Sequence, residues 1–223
     1  MHDTKRQVKD YKVDLVVIGA GSGGLSAAAG AAMFGLKVVL YEKHEMGGDC
    51  LNYGCVPSKA LLSAAKAAQS VRDAGKFGVT ASAPTTDWTA VKAHVRHAID
   101  TIAPVDSQER FEGLGVTVIR EAAGFADPDT IISATTRTRA RRIVIATGST
   151  AFIPPIEGLT EVPYLTNETI FSMPDFPAHL VILGGGPIGL EMAQAHRRLG
   201  SKVTVLEGQK ALGKDDPEMA DIA

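Results

Sequence analysis

Two cysteines, Cys50 and Cys55, are the only cysteines among the 223 residues and stand close together in the chain. Cys55 lies two residues before Pro57, and proline favours the first turn of a helix. A thiol at a helix N-terminus has a lowered pKa, and Lys59 adds positive charge one turn further on. The spacing predicts a pair that cycles between dithiol and disulfide.

Other interpretations of the pair are weaker. A zinc site lacks ligands, because no histidine follows at finger spacing. A structural disulfide is uncommon in cytosolic proteins. Two inert, buried cysteines remain an open alternative.

His94 and His97 are three residues apart on a predicted helix and suggest a metal pair. Because the sequence offers no third ligand, an exposed helix face is the better interpretation, and we expect no metal site.

A glycine motif, GxGxxG, occurs twice, each time between a short apolar run and a small-residue segment. After each copy, a second apolar run ends in an acidic residue. The motif glycines and the acids recur at one constant offset: Gly19, Gly21, Gly24 and Glu42 in the first copy, and Gly184, Gly186, Gly189 and Glu207 in the second. A single copy is weak evidence, but two copies with the same surroundings are strong.

The physical chemistry of the motif explains each residue type. The first glycine permits a tight turn, the second lets the backbone approach a pyrophosphate, and the third lets helix and strand pack closely. The helix N-terminus holds the anion, and the acid accepts hydrogen bonds from a ribose. Two such sites suit hydride transfer between a tightly held flavin and a diffusing nicotinamide. A glycine-rich turn without a ligand is the alternative.

The elements that position these residues alternate between strand and helix, which predicts an α/β fold with parallel strands. Expected strands lie at 13–18, 37–41, 116–119, 130–133, 142–146, 180–184 and 203–207, and expected helices at 57–71, 88–102 and 187–199, with a short helix after Pro104. Thr86 or Asp87 is expected to begin the second of these helices. The basic run 137–142 is interpreted as a solvated hairpin edge rather than a nucleic-acid patch.

We expect three segments: a Rossmann-like FAD-binding domain at 1–150, a proline-rich linker at 151–178, and a truncated NAD(P)-binding βαβ unit at 179–223. A single βαβ unit cannot form its own core, so the chain is expected to be the N-terminal part of a longer protein. Its net charge of −2 gives no general affinity for nucleic acid or membranes. No apolar run is long enough to cross a membrane, and the basic N-terminus is a poor signal peptide, so we expect a cytoplasmic location.

The segment GGDCLNYGCVPSK, together with the two glycine motifs and the turn Ala146-Thr-Gly-Ser149, resembles the class I pyridine nucleotide–disulfide oxidoreductases over essentially the whole chain. Within that family, the segment most resembles the members related to dihydrolipoamide dehydrogenase and mercuric reductase. The resemblance implies that Cys50 is the interchange thiol, that Cys55 faces the flavin, and that Lys59 and Glu191 pair beside it. It implies an FAD site made of Gly19, Gly21, Gly24, Glu42, Lys43, Gly48, Thr147 and Gly148, and a nicotinamide site made of Gly184, Gly186, Gly189 and Glu207.

Departures from the family pattern concern two residues. Asp49 stands where the family usually has threonine, and Tyr53 replaces an aliphatic residue. No arginine follows Glu207 directly, which favours NAD(H) over NADP(H). By resemblance, the full-length parent is a homodimer whose dimerisation domain and catalytic His–Glu pair lie beyond this chain.

The function expected is that of an FAD-dependent enzyme passing electrons between NAD(P)H and a disulfide, a dithiol or a soft metal ion through Cys50 and Cys55. The alternative is an FAD-binding module that does not turn over. A flavin monooxygenase-type protein also carries two glycine motifs, but that chemistry has no use for the thiol pair.

Overall fold

The computed structural model describes residues 8–222 and divides into two units. The first unit contains the described residues up to Cys55 together with Ile99–Glu168. The second contains Val56–Ala98 and the described residues from Thr169 onward. The linear division at residues 150 and 178 stays a prediction about domain organisation.

The first unit is built on a sheet of six strands in the order β3-β2-β1-β6-β5-β4. The first four strands in that order run parallel, and β6, β5 and β4 form antiparallel pairs. The strands are β1 (Lys9–Ile18), β2 (Val38–Tyr41), β3 (Thr117–Ile119), β4 (Gly124–Asp127), β5 (Thr130–Ile132) and β6 (Thr136–Ile145).

Helices of the first unit connect and flank these strands. They are α1 (Ser22–Met33), α2 (Gly48–Asn52), α5 (Gln108–Gly113) and α6, which begins at Asn167 and ends at Ile170 across the division, with 3₁₀ turns at Ala103–Asp106 and Leu159–Glu161. The expected short helix after Pro104 is thus a 3₁₀ turn followed by α5. The short elements α2 and β4 were not predicted from the sequence.

The parallel strands end together at one edge of the sheet. The last residue of β1, Ile18, is level with Tyr41 of β2 and Ile145 of β6, and Tyr41 is level with Ile119 of β3. Because ligands of open α/β sheets bind beyond the carboxyl ends of their strands, this edge is where a site is expected. The first glycine motif, Glu42 and Thr147 all follow strands at this edge.

Both faces of the central strands are buried, as parallel strands require. Val17 and Leu40 face one cluster with Leu25 and Ala28 of α1. Val16 and Val39 face the opposite cluster with Ile131. Alternate side chains of one strand thus serve two layers, and this fixes the register of β1 against β2.

The basic run was wrongly expected at a sheet edge. It forms a hairpin with β5, but β6 also pairs along its whole length with β1 and is an interior strand. Its residues alternate: Thr136, Thr138 and Ala140 are buried, while the arginines between them are exposed. The charges of Arg137, Arg139 and Arg141 are tolerated there because these side chains alternate with the buried ones and leave the strand on its solvated face.

The second unit holds most of two long helices and a βαβ motif. The helices are α3 (Cys55–Asp73), followed by a 3₁₀ turn at Ala74–Phe77, and α4 (Trp88–Ile102). Asp87 begins α4, because its Oδ1 accepts the N–H of Ala90 at 3.1 Å. The motif consists of β7 (His179–Leu183), α7 (Pro187–Leu199) and the parallel strand β8 (Lys202–Leu206), and α8 (Pro217–Ile222) follows.

Side chains of the helical segment hold the carbonyl end of α7. Thr86 Oγ1 donates to the Leu199 carbonyl at 2.6 Å, and Arg72 donates to the Arg198 carbonyl at 2.5 Å. The rings of Trp88, Phe176 and His196 pack together beneath them. These contacts join the helical segment 56–98 to the βαβ motif within the second unit. Of the helices within residues 8–222, none is long and apolar enough to cross a membrane.

Candidate functional site

The first glycine motif forms a tight turn between β1 and α1. Gly19 has φ +103°, in the region that favours glycine. A Cβ on Gly24 would lie 1.8 Å from the Gly19 carbonyl oxygen, so the helix can approach the strand this closely only with glycine there. A Cβ on Gly19 would lie 2.3 Å from the Ala146 carbonyl oxygen and 3.2 Å from Thr147 Cα. The structure therefore brings Gly19 and Thr147 together.

A second glycine pair lies against this turn. Gly21 and Gly47 form a parallel bridge, and the Gly47 N–H donates to the Ala20 carbonyl at 2.9 Å. Gly48 has φ +57°, and a Cβ there would lie 2.6 Å from Gly21 Cα. This contact places α2, and with it Cys50, beside the turn. Of the other predicted cofactor residues, Lys43 and Gly148 are exposed; Lys43 follows buried Glu42 and Gly148 follows exposed Thr147 in sequence.

Glu42 closes the first turn from the end of β2. Its Oε2 accepts the Ala20 N–H at 2.6 Å, and its Oε1 accepts the His44 N–H at 2.7 Å. The residue is only 8% exposed. The carboxylate thus holds the glycine turn to the segment that follows β2.

The second glycine motif repeats this geometry in the second unit. Gly184 has φ +109°, and a Cβ on Gly189 would lie 2.2 Å from the Gly184 carbonyl oxygen. Glu207 accepts the N–H groups of Gly185 at 2.7 Å and Gln209 at 2.9 Å. These two N–H groups lower the pKa of Glu207.

The likeness extends to a hydrogen bond that the sequence did not predict. The Leu212 N–H donates to the Gly185 carbonyl at 2.9 Å, at the same offset as the bond from Gly47 to Ala20 in the first turn. Leu212 is the non-glycine residue with positive φ among residues 8–222, at +54°, where the first copy has glycine. Because position 212 is leucine and not glycine, the sequence carried no sign of this turn.

Both motif helices begin without a protein cap. The N-cap residues are Gly21 for α1 and Gly186 for α7; neither has a side chain to accept a hydrogen bond, and neither helix carries an acid in its first turn. The amide groups and the positive end of each helix dipole are therefore available to an anion. Together with the close glycine contacts, this fits a bound pyrophosphate.

The two cysteines lie in successive helices, α2 and α3, which a short loop joins. Cys50 is half-buried in α2, and Cys55 is exposed at the first position of α3; both are in the thiol form. The pKa of Cys50 is raised, first by a hydrogen bond with the Cys55 side chain, then by burial and by the charges of Cys55 and Asp49. The hydrogen bond shows that the two side chains are adjacent.

Residues around this loop fix its conformation. The Oδ1 atom of Asp49 accepts from Asn167 Nδ2 at 2.7 Å, and Tyr53 donates to Glu45 at 3.0 Å. Asn52 donates to the carbonyls of Met46 at 3.1 Å and Gly48 at 2.9 Å. The contact with Asn167, far along the chain, had no signal in the sequence.

Lys59 and Glu191, both in the second unit, form an ion pair. Lys59 Nζ lies 2.5 Å from Oε1 and 2.7 Å from Oε2 of Glu191. Lys59 lies one turn into α3 and Glu191 one turn into α7. The structure thus joins two residues that only the resemblance had paired.

Histidines form no metal cluster within residues 8–222, and no group of three potential ligands was found there. His94 is exposed and lies 3.0 Å from Ser63 Oγ. Sequence reasoning missed His196, which is fully buried: Nδ1 lies 2.8 Å from the Met192 carbonyl, and Nε2 has no hydrogen-bond partner among the described residues. Burial lowers the pKa of His196.

Comparison with known proteins agrees with this geometry. Residues 13–223 match the family model described as pyridine nucleotide-disulphide oxidoreductase. A mercuric reductase of Streptomyces lividans is 38% identical, with the alignment covering 93% of this chain and 45% of that protein. A dihydrolipoyl dehydrogenase of Acholeplasma laidlawii is 33% identical, with 89% of this chain and 60% of that protein covered. A glutathione reductase of Burkholderia cepacia is 35% identical, with 95% of this chain and 47% of that protein covered.

Among solved structures, a Cu(II) complex of the HOCl-induced flavoprotein disulfide reductase RclA from Escherichia coli superposes with a TM-score of 0.76 at 29% identity, covering 93% of this chain and 45% of that chain. The chain spans about half the length of the relatives it matches. The predicted α/β, Rossmann-like fold and the predicted family are both confirmed. The chain belongs to the pyridine nucleotide-disulphide oxidoreductase family.

Proposed function

We propose that this chain supplies the FAD site, the redox thiols and part of the nicotinamide site of an enzyme that passes electrons between NAD(H) and a small disulfide, a dithiol or a soft metal ion. The observation that carries the proposal is the contact of Gly48 with Gly21. It places the loop with both cysteines directly beside the first glycine turn, in the same unit, and this supports a joint role.

The first turn is the proposed FAD site. Gly19, Gly21 and Gly24 shape the turn, Gly48 and Thr147 lie against it, and Glu42 is placed to accept from a ribose. Lys43 and Gly148 extend the site at its exposed rim. When bound, FAD supplies two-electron transfer between a nicotinamide and thiols. The chain holds the pyrophosphate on the free N–H groups of α1 and keeps Cys50 nearby.

The second turn is the proposed nicotinamide site, formed by Gly184, Gly186, Gly189 and Glu207. Glu207 is ionised at neutral pH, because backbone N–H groups lower its pKa. A carboxylate at this place accepts from a free ribose hydroxyl and repels a 2′-phosphate. This supports NAD(H) over NADP(H).

The thiol step uses groups that the chain holds. The Cys50 thiolate attacks one sulfur of the substrate disulfide, forming a mixed disulfide and releasing one thiol. The Cys55 thiolate then attacks the Cys50 sulfur, which closes the Cys50–Cys55 disulfide and releases the second thiol. Two electrons pass to the substrate, and reduction of the new disulfide completes the cycle. Dithiol oxidation runs the same steps in reverse.

The ion pair of Lys59 and Glu191 is proposed to act with the flavin in the complete protein. The Glu191 carboxylate keeps Lys59 Nζ in place at 2.5 Å. We also propose a cytoplasmic location, because a dithiol–disulfide cycle suits a reducing compartment, and a homodimeric parent protein.

A second candidate is an FAD-binding module that does not turn over. The chain spans less than half of the mercuric reductase of S. lividans, and this supports the module for the 223 residues taken alone. NADH-dependent reduction of an artificial acceptor separates the two: appreciable turnover by the purified chain refutes the module.

The visible spectrum of the chain, mixed with FAD and desalted, tests the proposal. We expect a yellow protein that gains long-wavelength absorbance when dithiothreitol is added without oxygen, because a thiolate then lies against the flavin. Cys50→Ser should retain this absorbance and Cys55→Ser should lose it, with equal flavin retention. A folded but colourless protein would refute FAD binding by this chain.

A further inference from the structure

A carboxylate is fixed beside the two thiols. Asp49 directly precedes Cys50 in α2, and its Oδ1 accepts from Asn167 Nδ2 at 2.7 Å. Its Oδ2 lies over Gly54, where an added Cβ would be 2.7 Å away. Gly54 in turn directly precedes Cys55. The carboxylate is thus held at Oδ1 by Asn167, and Oδ2 lies against the loop that joins the cysteines.

Other groups around the loop add negative charge rather than cancel it. Glu45 accepts from the Tyr53 hydroxyl, and the pKa of Tyr53 is raised by burial first and then by Glu45 and Glu168, so this phenol stays neutral. Asp49 is itself among the causes that raise the pKa of Cys50, after the Cys55 hydrogen bond and burial.

Three cations lie close to the loop in sequence or through a contact, and within residues 8–222 none forms an ion pair with Asp49. Arg120 donates to the His44 carbonyl, and Lys59 is paired with Glu191. Lys43 is exposed. The loop therefore presents Cys50 to solvent beside a charge that is fixed in place.

We propose that Asp49 is a specificity-determining residue that admits neutral and cationic reagents to Cys50 and disfavours anionic ones. The physical reason is direct: a fixed charge raises the local concentration of counter-ions and lowers that of like-charged molecules. This inference rests on the proposed exchange role of Cys50. The substrate is thereby assigned to one of two classes: small disulfides that carry no carboxylate near the reacting sulfur, or soft metal cations.

Alkylation of the reduced chain by three reagents of similar size tests this without flavin or turnover. Iodoacetamide is neutral, iodoacetate anionic and bromoethylamine cationic. In each case the thiolate displaces a halide ion and forms a carbon–sulfur bond, so no oxidant is needed. Rates at Cys50 and Cys55 are separated by chymotryptic digestion, which cleaves after Leu51 and Tyr53 between them; trypsin would also cleave after aminoethylated cysteine.

The readout is the ratio of the cationic to the anionic rate at Cys50. Asp49→Asn should lower this ratio on the order of tenfold in dilute buffer, and the difference should largely vanish in about 1 M salt, because salt screens exposed charges. The matched control is Asp10→Asn, which removes the same charge at the far end of β1, about 25 Å from the site by strand length. Its ratio should equal that of the unmodified chain.

Two results would overturn the inference: equal ratios for Asp49→Asn and Asp10→Asn, or a difference that persists unchanged in high salt, since that indicates a structural effect. Should Asp49→Asn fold poorly by circular dichroism, Asp49→Thr supplies the same charge removal. A negative result here leaves the flavin spectrum of the Cys55 variant unaffected, so failure of this inference and failure of the proposed function are distinguishable.

Discussion

Replacing Gly24 by alanine should separate β1 from α1. The added Cβ would lie 1.8 Å from the Gly19 carbonyl oxygen, 2.9 Å from the Gly19 carbonyl carbon and 3.3 Å from Val17 Cγ1. Real Cβ atoms essentially never come within 3.0 Å of such atoms, so the helix must move by at least about 1.2 Å. Backbone cannot yield as a flexible side chain does, and overpacking of this kind costs about 1–3 kcal/mol.

The matched control is Gly30→Ala in the same helix. Nothing lies within 4 Å of a Cβ there, and its φ is ordinary for a helix. Alanine should stabilise this position by about 0.5–1 kcal/mol, because glycine loses more backbone entropy on folding. The two variants make the same chemical change and should move stability in opposite directions.

Urea unfolding without added FAD gives the free energy of unfolding for both variants. We expect a gap of about 1.5–4 kcal/mol between them, with Gly24→Ala the less stable. FAD retention should fall in Gly24→Ala and be unchanged in Gly30→Ala. Equal stability of the two variants would refute the argument that the third glycine is dictated by helix–strand approach.

Two further predictions concern buried polar groups. Glu42→Ala should cost about 1–3 kcal/mol of unfolding free energy, because the buried Ala20 N–H loses its acceptor, whereas Glu207→Ala should cost clearly less because Glu207 is exposed; equal losses in urea unfolding would contradict this. The lowered pKa of His196 means that the unfolded chain takes up its proton first, so stability should fall as pH drops below about 6.5, by up to about 1.4 kcal/mol per pH unit. His196→Phe should lack this component, and an identical pH dependence in both proteins would count against it.

Local contacts explain why so much of the first turn could be predicted. Gly19 and Gly24 are dictated by a turn and a helix that adjoin in the sequence, so the pattern itself carries the geometry. Cys55 likewise starts its helix two residues before the proline that marked it. The expected helix at 57–71 extends by two residues at each end, to Cys55 and Asp73.

Other features depend on distant parts of the chain. The five-residue helix α2 has no periodicity, and it is placed by the contact of Gly48 with Gly21 and by Asn167. The placement of the basic run failed because alternation of Thr136, Thr138 and Ala140 with arginines predicts a half-buried strand, but not that a distant strand, β1, pairs with its second edge. His196 was not singled out from the sequence, although it is buried on the apolar face of α7. A single sequence contains no signal that marks a histidine at a core position as different from the apolar residues around it.

The two glutamates that close the glycine turns differ in how far each can be substituted without loss of stability. Glu42 is enclosed, and its bonds hold the first turn, so loss of this side chain costs folding free energy as well as the proposed contact with the ligand. Glu207 makes the same two bonds from the surface. Substitution of Glu207 should therefore cost the folded state little, so the nucleotide preference proposed for the second turn is open to change by single substitutions that the first turn would not accept as readily.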